Sequence, residues 1–239
     1  MEIINRCLTL QEFRDYIKSY YFGSEPANKL VIHHTWKPTK ETWAGQKSID
    51  GLKKYYEKKG WPAGPHLFVA EEGIWLFSPM RQDGIHTAGL NHCSIGIEVV
   101  GDYDNEKWSG NTKTNALGVI KALMDCLNLR EKDIFFHRDV SSKSCPGRAI
   151  TKEWLFQELN TAYPKPGIAD VVRNTTAPPP AEFNESEEMV LIQAPDWAKE
   201  AVDFIAKHKL FKIRCAEDVR HAVRFYRFYR LITDRNPKT

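Results

Sequence analysis

The chain has 239 residues, a formal charge of +3, 42% apolar residues and 27% charged ones. That is enough for one fair-sized domain plus a small appendage, and too mild a basic excess to argue for a nucleic-acid partner. Five cysteines, Cys7, Cys93, Cys126, Cys145 and Cys215, are odd in number and lack close pairing, so a reducing compartment fits better than a disulfide framework. Met1-Glu2-Ile3-Ile4-Asn5-Arg6 is not a basic stretch leading into an apolar core, and no apolar run reaches the length of a membrane span. The chain reads as one made in the cytoplasm without a signal peptide.

Taken in order, Thr9-Leu10-Gln11-Glu12 has the form of a capping box and predicts a helix to about Phe22. A loop leads into the apolar strand Leu30-Val31-Ile32, which ends in His33-His34-Thr35. Ile49, Leu52, Tyr55 and Tyr56 recur at helical spacing and predict a helix over about 48–59, stopped by Gly60. The segments 66–70 and 74–77, separated by Glu71-Glu72-Gly73, read as a hairpin. Ser94 to Gly101 is a nearly unbroken apolar strand interrupted by Glu98. Leu117, Ile120, Leu123, Met124 and Leu127 mark a helix over about 114–127, followed by the strand Ile134–Phe136 and a helix over about 152–163. Strands alternating with helices predict an α/β domain over residues 1–163, with one central mixed sheet and helices packed against it. A proline- and acid-rich linker over 164–190 and a small helical module over 191–239 complete the expected organisation.

Chemistry concentrates after two of these strands. His137 follows Ile134-Phe135-Phe136, and Cys145 lies in the loop beyond it. Neutral imidazole and thiolate are ligands that zinc (Zn2+) prefers, whereas Mg2+ and Ca2+ take harder oxygen donors. A third ligand is offered by His33-His34; successive strand residues point to opposite faces, so only one of the pair can face the same ion. Two histidines and a cysteine would leave one tetrahedral position open, the mark of a catalytic zinc.

His33-His34-Thr35 after an apolar strand, Ser94-Ile95-Gly96-Ile97-Glu98, and the spacing of His137 to Lys143-Ser144-Cys145-Pro146 occur here in one order. Together they resemble the zinc-dependent N-acetylmuramoyl-L-alanine amidases of the phage-lysozyme and peptidoglycan-recognition-protein type, over roughly residues 28–160. The resemblance implies one zinc ion per chain held by His33, His137 and Cys145. It implies that zinc activates water for attack on the amide between N-acetylmuramic acid and L-alanine. It places Lys143 as stabiliser of the oxyanion and, from one branch of the family, Glu98 as the proton acceptor. His34 and His66 are expected to orient ligands by hydrogen bonding, and His86, Trp36 and Asn91 to contact the substrate. One departure stands out: many relatives carry a catalytic tyrosine where this chain has Pro65, which shifts weight onto Glu98. A cation two residues from Cys145 is also expected to favour its thiolate.

Arg220, Arg224, Arg227 and Arg230 fall in one stripe of the last expected helix, with Phe225, Tyr226, Phe228, Tyr229 and Ile232 around it. Such a stripe is either a solvated face or an attachment to an anionic surface, wall polymer or lipid headgroups. The expected partner is peptidoglycan, and the expected role that of a phage or prophage endolysin acting on the wall after release. Two competing readings are a recognition module that binds peptidoglycan without cutting it, and a thiol hydrolase using Cys145 with His137.

Overall fold

The alternation of side chains along each strand decides how the layers assemble. The computed structural model describes residues 1–164 and, singly, Asp203 and Lys207. Its strands are β1 (Arg6–Leu8), β2 (Lys29–His34), β3 (Leu67–Val69), β4 (Ile74–Leu76), β5 (Ser94–Val99) and β6 (Ile134–Phe136). They form one sheet in the order β1-β4-β3-β5-β2-β6. The β1–β4 and β4–β3 pairs are antiparallel, and β3–β5, β5–β2 and β2–β6 are parallel. The helices are α1 (Leu10–Lys18), α2 (Gln46–Lys58), α3 (Gly110–Leu127) and α4 (Lys152–Ala162). This is the α/β arrangement expected, a mixed central sheet flanked by helices.

One face of the sheet carries the large core. Leu30 and Ile32 of β2, Leu67 and Val69 of β3, Ile95, Ile97 and Val99 of β5, and Ile134 and Phe136 of β6 pack with α1, α3 and α4. The other face is served by a smaller cluster, in which Ile49 and Tyr56 of α2 pack on Phe68, Trp75 and Phe77. Because the period is two, the residues between the large-core positions all face the α2 side. On β2 and β5 these include His33, Gly96 and Glu98.

Several boundaries differ from the sequence expectation. The Thr9 capping box is present, but α1 stops at Lys18 instead of running to Phe22. The chain turns there to bring Phe22 into the core with its ring against Tyr20, centroids 4.9 Å apart. Helix α3 starts at Gly110, four residues before the expected Thr114, with Ser109 at its N-cap. β1 was not expected; three residues on an edge are too short to show an alternating pattern. The linker and the C-terminal module with its arginine stripe lie outside the described residues. Among the described residues no helix is long and apolar enough to cross a membrane.

Candidate active site

Parallel register brings the site together. β2 pairs with β6 through Ile32 and Phe136, so His33 and His137, each one residue further on, leave the sheet side by side. Their rings meet edge to face, centroids 4.6 Å apart, with Nδ1 to Nδ1 at 3.1 Å. On the other side of β2, His33 is the direct partner of Glu98 on β5, and its Nδ1 lies 3.9 Å from Glu98 Oε1. Cys145 arrives from the loop after β6, its Sγ 3.6 Å from His33 Nδ1. Arg138 clamps that loop: its backbone N–H donates to the Cys145 carbonyl, and its guanidinium donates to the carbonyls of Ser144, Gly147 and Ile150. The backbone N–H of His34 donates to Cys145 Sγ at 3.4 Å.

His33, His137 and Cys145 therefore offer three ligand atoms within 4.8 Å of one another. Tetrahedral bonds of about 2.0 Å to nitrogen and 2.3 Å to sulfur set ligand atoms roughly 3.3–3.6 Å apart. The observed 3.1 Å between nitrogens and 3.6 Å between nitrogen and sulfur match that size. The donor set is soft, and Glu98 Oε2 is buried beside it without a hydrogen-bond partner. These residues fit a zinc ion.

Burial dominates the electrostatics. His33 is held far below the ordinary imidazole value by burial, then by His86, His137 and Lys143. His137 is lowered to about 4 by burial and Lys143. Both rings are neutral at pH 7 and present lone pairs, as metal ligands must. Burial raises Glu98 to about 8, with Lys143 pulling the other way. Burial first and Glu98 second push the Cys145 thiol well above its usual range, while Lys143, as expected, pulls toward the thiolate. Only a metal ion at the sulfur would deprotonate it outright.

The triad lies in an open cleft of about 1330 Å³. Glu98, Lys143, Trp36, His86 and Asn91 also line it. Lys143 is exposed, and Trp36 is 56% exposed with the Lys37 ammonium 5.0 Å from its ring centroid. Asn91 lines the cleft, yet its Oδ1 accepts the backbone N–H groups of His86 and Thr87 at 3.0 and 2.8 Å. His34 points away to the large-core side, where its Nδ1 accepts from the Tyr103 backbone at 3.1 Å. His66 is pinned, Nδ1 accepting from Gly96 N–H and Nε2 bonding the Gln82 carbonyl. Sequence reasoning missed Thr87, whose Oγ1 is 3.1 Å from His33 Nε2, since a loop threonine carries no signal. It also missed the wall formed by Leu52, Tyr55 and Tyr56 of α2, whose helical spacing predicted only a helix, together with Trp61.

Residues 23–148, more than half of the chain, match the N-acetylmuramoyl-L-alanine amidase family Amidase_2. The endolysin of Escherichia phage T7 is 25% identical over 144 residues, covering 58% of this chain and 92% of that protein. A peptidoglycan recognition protein of Trichoplusia ni is 27% identical over 139 residues, covering 54% of this chain and 74% of the relative. In fold, the N-acetylmuramoyl-L-alanine amidase LysC from Clostridium intestinale URNW aligns with a TM-score of 0.50 at 24% identity, over 59% of this chain and 89% of that one. The order of motifs, the paired strand ends and the family match agree, and the chain belongs to the N-acetylmuramoyl-L-alanine amidase family.

Proposed function

We propose that this protein is a peptidoglycan hydrolase that cleaves the amide between N-acetylmuramic acid and L-alanine, using a zinc ion held by His33, His137 and Cys145. The observation that carries the reading is the meeting of those three ligand atoms within 4.8 Å in an open cleft that Glu98 and Lys143 also line. Zinc bound there supplies a Lewis acid and lowers the pKa of water toward neutrality.

The chain's own groups do the rest. Lys143 reaches the cleft from the Cys145 loop and offers an ammonium to the oxygen that gains charge when the amide carbonyl is attacked. Glu98 takes the proton of the attacking water and returns it to the departing amine of L-alanine. It does so as the carboxylate: burial raises this carboxyl to about 8, and the Lys143 ammonium pulls it back toward the ionised form that can accept a proton. Trp36 presents an exposed ring face at the rim, suited to a sugar or an apolar peptide side chain. Cys145 is a ligand here: a thiol buried and raised in pKa is a poor nucleophile.

The similarity to phage endolysins supports a role in host lysis, acting on the wall. Within the same proposal, the C-terminal segment anchors the enzyme to an anionic wall polymer or membrane surface through its arginine stripe. One experiment tests both parts. Purified sacculi and a soluble muropeptide are digested with the full chain and with a chain ending before Glu182, and new amino termini are identified by mass spectrometry. The expected product is a free L-alanine amine, lost with chelator and restored by zinc, with truncation slowing digestion of sacculi alone. Binding without a freed amine would mean a recognition module, chelator-insensitive hydrolysis a thiol enzyme, and equal loss on both substrates would end the anchoring idea.

A further inference from the structure

The two nitrogens of His33 face different neighbourhoods. Nδ1 looks into the triad, toward His137, Cys145 and Glu98. Nε2 looks the other way and lies 3.1 Å from His86 Nδ1 and 3.1 Å from Thr87 Oγ1. His33 is 1% exposed and Thr87 3%, so bulk water does not compete for these bonds. We infer that Thr87 and His86 form a cradle that fixes His33 as the Nε2–H tautomer and so keeps its Nδ1 lone pair aimed at the ion. The inference rests on the zinc reading above and gives His86 and Asn91 a task other than touching substrate.

In the inferred tautomer the protons run outward from His33. His33 Nε2–H donates to Thr87 Oγ1, and the Thr87 hydroxyl donates to His86 Nδ1 at 3.2 Å. His86 then carries its own proton on Nε2, which is buried and makes no bond of normal geometry. Burial first and His66 second keep this ring neutral, with the Ser94 backbone pulling the other way. Had His33 carried its proton on Nδ1 instead, that N–H would point at the metal position, and the ligand would be blocked until it changed tautomer.

The cradle is built rather than incidental. Asn91 Oδ1 accepts from both backbone N–H groups of 86 and 87, which holds the two side chains at a fixed pitch. The His86 ring lies over Gly96, where a Cβ would come within 2.5 Å of it. Gly84 opens the other side, a Cβ there falling 2.9 Å from His86 and 2.5 Å from His66. The His66 ring, pinned at both nitrogens, backs His86 with centroids 5.6 Å apart. Groups that orient a ligating histidine typically govern metal affinity by about 10–100-fold. Thr87 and His86 are thus positioning residues, acting through His33.

The test uses the full-length chain. Nitrogen-15 NMR of the histidine rings at neutral pH, metal-free and zinc-loaded, reads the tautomer of His33 directly in the wild type. Competition against a chromogenic chelator reads the zinc affinity of wild type, Thr87→Val and His86→Phe. The expected results are the Nε2–H tautomer in both states and, for each variant, zinc affinity weakened by about tenfold or more. A Nδ1–H tautomer, or folded variants that hold zinc as tightly as the wild type, would overturn the inference. A wild type that takes up no zinc would instead defeat the metal reading. In that case the tautomer of the metal-free ring still decides whether the cradle exists.

Discussion

Cys145→Ala is expected to empty the metal site and end amide hydrolysis in the same sample. Cys145 supplies the only sulfur of the triad, and sulfur is the donor that most favours zinc over harder ions. Without it, two imidazole nitrogens remain, 3.1 Å apart, and among the described residues the Glu98 carboxyl, 3.9 Å from His33 Nδ1, is the nearest acid to complete the set. The loss should exceed the roughly 10–100-fold that removing a merely supporting group costs. The fold should survive, because Arg138 holds the loop through the carbonyls of Ser144, Gly147 and Ile150 and not through the thiol. Zinc content and muropeptide turnover, measured together, check this. A variant that keeps its zinc and loses activity would make Cys145 a nucleophile; one that keeps both would dissolve the site.

Glu98→Gln is expected to lower kcat by about 10²–10⁴, the range for losing a positioned acid–base group, while zinc stays bound. Glutamine matches the shape and leaves the β5 pairing intact, so the change isolates proton transfer. The position invites a charge despite its cost: a carboxyl in an otherwise apolar strand, one oxygen buried without a partner, is stabilised poorly unless a cation or substrate meets it. Steady-state kinetics on a soluble muropeptide, with zinc measured in parallel, separates the outcomes. Retained kcat would reduce Glu98 to a structural carboxylate and require another base. The tyrosine that the family resemblance would offer for that part is replaced in this chain by Pro65.

What the sequence disclosed, and what it withheld, follows from the range of each interaction. Strand ends were legible because short apolar runs stopped at His33 and His137, and parallel pairing then set those residues side by side. The choice between His33 and His34 was a question of faces, answered by the resemblance; the large core takes His34 toward Tyr103 and leaves His33 on the α2 side. Glu98 was conspicuous because a charge in an apolar strand is costly. The cradle was not legible. His86 and Thr87 sit in a loop whose path is fixed by one asparagine side chain and by two glycines that make room for a ring, and none of these leaves a periodic trace. The aromatic wall of α2 was hidden for a different reason. A helix over a sheet that it only partly covers has one pattern for two jobs, packing at Ile49 and lining the cleft at Leu52 and Tyr55.

Zinc K-edge X-ray absorption on the purified full chain reads whether His33, His137 and Cys145 grip one zinc ion. The expected spectrum shows one equivalent of zinc with two imidazole nitrogens at about 2.0 Å, one sulfur near 2.3 Å and one further light atom. A spectrum without sulfur, or a protein that binds no zinc when it is offered, would rule that site out.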